Sequence, residues 1–160
     1  MIGENRVSGW HVAASVVVGL ALSIVPAPQW LEVIRPDFLL IFVIYWSLTA
    51  PRMAGMTFAW MCGFAIDLIR GMVLGQHAFA FLFVAYWTHR WQLRMRIFPI
   101  WQQAAAVFIL LLIYQVVVWW IDGIIDAPMN SWLRWLPILT GALLWPFVVA
   151  TLDTWNRGRR

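Results

Sequence analysis

The chain has 160 residues, 63% of them hydrophobic and 11% charged, with a net charge of +4. A soluble domain carries about a quarter charged residues and has too little interior to hide so much apolar surface, so a water-soluble globule is excluded and lipid is the expected solvent. Every basic side chain is Arg, set in short gaps between apolar segments where arginines orient membrane helices; the continuous basic stripe of a nucleic-acid-binding face is absent.

A bilayer core takes ~20 residues of helix, with about 17–25 tolerated. On that measure the chain reads as a single transmembrane domain, 1–160, with six apolar segments. The first, Trp10–Val25, is stopped by Pro26 and Pro28. Its leading MIGENRVSG has one base, and SIVPAPQW offers no clean small-x-small cleavage site, so an uncleaved first helix is expected. The second, Pro36–Ala50, opens on a proline suited to a first helical turn and stops at Pro51. The third is Met53–Ile69, the fourth Gly75–Thr88, the fifth Pro99–Ile121 and the sixth Trp135–Thr154. The second and fourth are short and are expected to tuck among longer neighbours.

With both termini cytoplasmic, the inner pieces hold Arg6, Arg52, Arg90, Arg94, Arg96, Arg157, Arg159 and Arg160, and the outer pieces only Arg35, Arg70 and Arg134. That is the asymmetry of the positive-inside rule. Many of the 13 Trp fall near segment ends, as headgroup-level anchors do. Cys62 stands alone in an apolar segment, which leaves no disulfide or thiolate metal cluster.

Small residues mark two candidate packing faces. In the third segment Gly55, Ala59, Gly63, Asp67 and Gly71 recur at intervals of four; in the first, Ser15, Gly19 and Ser23 do the same. Such faces let helices approach closely where lipid supplies no hydrophobic drive. They serve either internal packing or the docking of a partner's helix. Gln115, mid-span in the fifth segment, is a candidate interhelical hydrogen-bonding residue or part of a cavity lining.

The stretch GFAIDLIRG places Asp67 and Arg70 near the outer end of the third segment, at the level where the second begins with Arg35-Pro36-Asp37. Charges within a membrane face inward and pair. The expected pairs are Arg35 with Asp67 and Asp37 with Arg70, closing the outer end of a hairpin.

No catalytic constellation is evident. His11, His77 and His89 do not share a depth, and Asp122 and Asp126 flank a glycine in what reads as a solvated turn. No nucleophile–base pair, phosphate-binding loop or HExxH occurs. A non-enzymatic protein without cofactor or metal is expected.

The succession RPDFLLIFVIYW (35–46), GFAIDLIRGMVLGQHAF (63–79) and WQQA (101–104) resembles the bacterial rod shape-determining MreD family over nearly the whole chain. The resemblance implies a non-catalytic scaffold in the bacterial plasma (inner) membrane. It would hold the single-pass protein MreC within a cell-elongation assembly that includes MreB filaments, RodA and a class B penicillin-binding protein. It also implies a helical bundle like the substrate-binding subunit of energy-coupling-factor transporters, so a vitamin-like ligand in an outward polar pocket is the competing expectation. The family's outer motif falls on Arg35, Pro36, Asp37, Gly63, Asp67, Gly71 and Gly75, while Arg70 stands where the resemblance implies a small polar residue.

Overall fold

The computed structural model describes residues 9–71, 73–125 and 132–157, and these form helices and connecting turns without a strand. In chain order they are α1 (Gly9–Ile24), α2 (Gln29–Glu32), α3 (Phe38–Thr49), α4 (Met56–Arg70), α5 (Gln76–Met95), α6 (Ile100–Ile124), a 3-10 turn (Trp132–Trp135) and α7 (Leu136–Arg157). Each of the six apolar segments carries one of the longer helices. The short α2 lies in the connection between the first two and was not expected.

The boundaries differ from the sequence expectation mainly in α5, which continues to Met95 rather than stopping at Thr88. Thr88-His89-Arg90 ends the apolar run, but none of these residues breaks a helix, and the chain turns only as it approaches Pro99. Conversely, α4 starts at Met56, because Ala50–Ala54 form tight turns and Gly55 is its N-cap.

At the centre lies α3. Leu39, Leu40, Ile41, Val43, Ile44, Tyr45, Trp46, Ser47 and Leu48 are all buried and only Phe38, Phe42 and Thr49 are partly exposed, so this helix is enclosed nearly all round, as expected of one that is apolar all round. It packs on α1, α5 and α7, while α4 and α5 form a close hairpin and α6 bridges α5 to α7. From α1, Gly19 lies against α3, where a Cβ would meet the Leu39 backbone at 3.1 Å. One turn away, Trp46 Nε1 donates to Ser15 Oγ at 2.6 Å. The Ser15–Gly19 face is thus filled from within the chain. Ser23 turns its hydroxyl to the Gly19 carbonyl.

The last carbonyls of α3 have no intrahelical donors, as at every helix C-terminus. Arg96 supplies them, with Nε donating to the Leu48 carbonyl at 2.7 Å and Nη2 to that of Thr49 at 3.1 Å. Gln92 adds a third contact at Leu48.

The outward surface is apolar. Ile100–Ile124 and Trp132–Asn156 are long and apolar enough to cross a membrane, and only 28% and 22% of their apolar windows are buried. A core helix of a soluble protein would be mostly enclosed. Leu139, Leu143 and Phe147, on one face of α7, are exposed.

Candidate functional site: an ionic cleft at one end of the bundle

The N-terminus of α3, the end of α4, the start of α5, the end of α6 and the start of α7 meet at one end of the bundle. Polar and charged side chains concentrate there and line a cleft of about 730 Å³.

Asp67 is fully buried in the hairpin wall. Its Oδ1 accepts the His77 backbone N–H at 3.0 Å and meets His77 Nδ1 at 2.8 Å. Its Oδ2 accepts the Gly75 and Ala78 N–H groups at 2.9 and 3.2 Å. Four hydrogen bonds saturate a carboxylate. With both oxygens already accepting from the backbone, Nδ1 is the donor in the ring contact.

The arrangement caps a helix across a hairpin. The first amides of α5 lack intrahelical partners and carry the positive end of the helix dipole; a carboxylate from the preceding helix satisfies them. Gly63, one turn before Asp67, makes this reachable. A Cβ at Gly63 would lie 2.5 Å from the His77 carbonyl oxygen and 2.6 Å from Ala78 Cα, so only a glycine lets the start of α5 come this close. Gly75 precedes α5 with φ +100, a conformation glycine adopts readily.

Asp67 therefore does not pair with Arg35. Arg35 Nη1 instead donates to the Val25 carbonyl at 2.7 Å, closing the turn that follows α1. Asp67 can be buried away from it because backbone amides, rather than a cation, meet its charge. Asp37 and Arg70 do meet, at 2.9 Å. Asp37 is the N-cap of α3 but makes no side-chain capping bond; its second oxygen accepts from Tyr114 Oη at 2.5 Å. Tyr114 packs edge-on to Phe81 and lies beside the His77 ring.

A second cluster forms the opposite wall. Asp122 Oδ1 accepts from Gln76 Nε2 at 2.6 Å, and its Oδ2 accepts from Arg134 Nη2 at 2.5 Å. Asp122 lies in α6 near its C-terminus rather than in a solvated turn. A negative charge there opposes the helix dipole, and Arg134 compensates it. Asp126 lies outside the described residues.

The small-residue stripe of the third segment divides. Ala59 and Gly63 are packed, but Gly55 and Gly71 are not part of that face. Gly55 is an N-cap with only the Pro51 carbonyl nearby, at 4.0 Å, and Gly71 is a left-handed C-terminal residue facing open space. Counting by fours ran past both ends of the helix.

Sequence reasoning missed His77, Tyr114, Gln76 and Arg134 as members of these clusters. Gln76-His77 immediately after Gly75 was the available signal, since polar residues at a helix start face whatever caps it. Among the described residues no group of three or more His, Cys, Asp or Glu is placed to hold a metal.

The family model for rod shape-determining protein MreD matches residues 4–154. The rod shape-determining protein MreD of Haemophilus influenzae is 25% identical over 132 residues, covering 82% of each chain. No solved structure shows significant similarity.

Proposed function

Because this chain belongs to the rod shape-determining MreD family, we propose that it is a non-catalytic, multi-pass scaffold of the bacterial inner membrane that supports cell elongation. The family match over residues 4–154 is the observation that carries this reading. In it, the six longer helices cross the bilayer with both termini cytoplasmic, and the ionic cleft lies at the outer rim. The ion pairs and the Asp67 cap hold the outer ends of the helices in fixed register. The partners are MreC, with MreB filaments, RodA and a class B penicillin-binding protein as further members of the assembly that builds peptidoglycan.

Ser15, Gly19, Ala59 and Gly63 are occupied by the chain's own helices, so a partner's helix is received on the exposed apolar face of α6 and α7. Photo-crosslinkers at Leu143 and Phe147 in living cells test this, with crosslinks to the single-pass partner expected. Crosslinks to lipid alone would reject the docking face. Depletion of the chain is expected to make rod-shaped cells swell and round up. Cells that keep their rods without it would reject the scaffold role itself.

The competing reading, a vitamin-binding transporter subunit, stems from the likeness of the family's bundle to such subunits and would place its ligand in the cleft. The family match favours the scaffold.

A further inference from the structure

The cleft has a property that holding helices together does not use. Its carboxylates Asp37 and Asp122 are each occupied on both oxygens, by Arg70 with Tyr114 and by Arg134 with Gln76. Arg70 and Arg134 each give one Nη2 to these bonds, leaving further N–H donors of five per guanidinium. Arg35, also on the lining, is bonded among the described residues only to a neutral carbonyl. Asp37 and Asp122 each keep about two of their roughly four acceptor sites, and with Glu32 they balance the three lining arginines in formal charge; each guanidinium still keeps more unused N–H donors than a carboxylate keeps acceptor sites.

Gln115 adds an independent observation. It lies mid-helix in α6, is only 9% exposed and lines the cleft, yet its amide has no hydrogen-bond partner among the described residues. The amide opens to the cleft rather than being sealed off, since the enclosed polar side-chain atom without a partner among the described residues is His11 Nδ1; beside apolar Leu111, Val118 and Ile138 it is accessible to a molecule in the cleft.

We propose that this cleft binds a phosphate-bearing molecule, its anionic group held by Arg35, Arg70 and Arg134 and its neutral part by the Gln115 amide and the adjoining apolar floor. Three guanidiniums from separate segments match an anion with several oxygens, and the guanidinium fork suits phosphate geometry. The volume falls within the range of small-molecule sites, about 300–1,000 Å³. Glu32, the lining carboxylate without a partner among the described residues, opposes the anion and limits affinity. The phosphate belongs either to a lipid headgroup or to a water-soluble ester. The proposal goes beyond the scaffold role and does not depend on it.

Calorimetric titration of the full chain in uncharged detergent tests it with three probes: inorganic phosphate, glycerol 3-phosphate and dihexanoyl phosphatidic acid. Saturable binding of at least one is expected. Arg35→Gln and Gln115→Leu should each weaken it about tenfold, the loss of one good hydrogen bond to a charged or buried group, and Glu32→Gln should tighten it. Gln115→Leu should leave the melting temperature of the unliganded protein unchanged, because that amide bonds to nothing there. Gln115→Glu is the second variant and should weaken binding by repulsion. Binding of the acylated probe alone identifies a lipid headgroup; equal binding of the soluble esters identifies a free phosphate. If no probe saturates, or if Arg35→Gln and Gln115→Leu both bind as the wild type does, the proposal is overturned.

Discussion

His77 meets Asp67 twice, through its backbone N–H at 3.0 Å and through Nδ1 at 2.8 Å. One residue of α5 is thereby held in both position and ring orientation by one residue of α4. Removing the acid leaves the buried His77 and Ala78 N–H groups, the His77 ring N–H and the part-buried Gly75 N–H without acceptors. Asp67→Ala should therefore destabilise the chain by about 3 kcal/mol, in the range for breaking a buried charged network. His77→Ala, which spares the backbone bonds, should cost about 1–2 kcal/mol. Thermal unfolding in detergent, with Leu143→Ala on the exposed face as control, checks the order. Equal losses in all three variants would contradict the capping role.

Gly63 and Gly71 stand on one stretch of sequence but are held to glycine by different physics. At Gly63 a methyl group would strike the backbone of α5, so Gly63→Ala should separate the hairpin and cost more than about 2 kcal/mol, as overpacking against an immovable neighbour does. Gly71 has open space and φ +61; Gly71→Ala should cost about 1 kcal/mol, the left-handed penalty alone. Gly55→Ala should be near neutral. Melting temperatures of the three variants give the ranking.

Asp37 and Arg70 are close enough to couple. A double-mutant cycle with Asp37→Asn and Arg70→Gln should give an interaction energy of about 1–3 kcal/mol. Additive losses in denaturant unfolding would mean that the pair is held by its surroundings and does not itself hold the hairpin.

At the opposite end, Arg96 serves α3 rather than its own helix. Arg96→Ala should cost about 1–2 kcal/mol, since the carbonyls of Leu48 and Thr49 lose charged donors. Hydrogen exchange should rise first at the Ala50 and Ala54 amides, which bond to the carbonyls of Trp46 and Ala50 in the same turn. Unchanged exchange there, with stability lost elsewhere, would assign Arg96 another role.

Much of the helical layout was legible because apolar segments of this length punctuated by Pro26, Pro51 and Pro99 admit few alternatives. Asp37 and Arg70 could be matched by depth, since each starts or ends its helix at the same level, and their side chains meet. Asp67 could not be matched that way. Its partners are mostly backbone amides, which every residue carries and no letter announces, so the search for a cation led to Arg35. The stripe at intervals of four misplaced Gly55 and Gly71 because periodicity does not say where a helix ends. Gln76, Asp122 and Arg134 come together only through the packing of α5, α6 and the 3-10 turn before α7, and spacing along the chain does not pair them.

The near-complete enclosure of α3 bears on how such a molecule holds together. Its twelve residues extend about 18 Å at 1.5 Å each, well short of a hydrocarbon core of about 30 Å. In the proposed six-span arrangement it is too brief to bridge that core unaided, and its place depends on the cradle that α1, α5 and α7 give it.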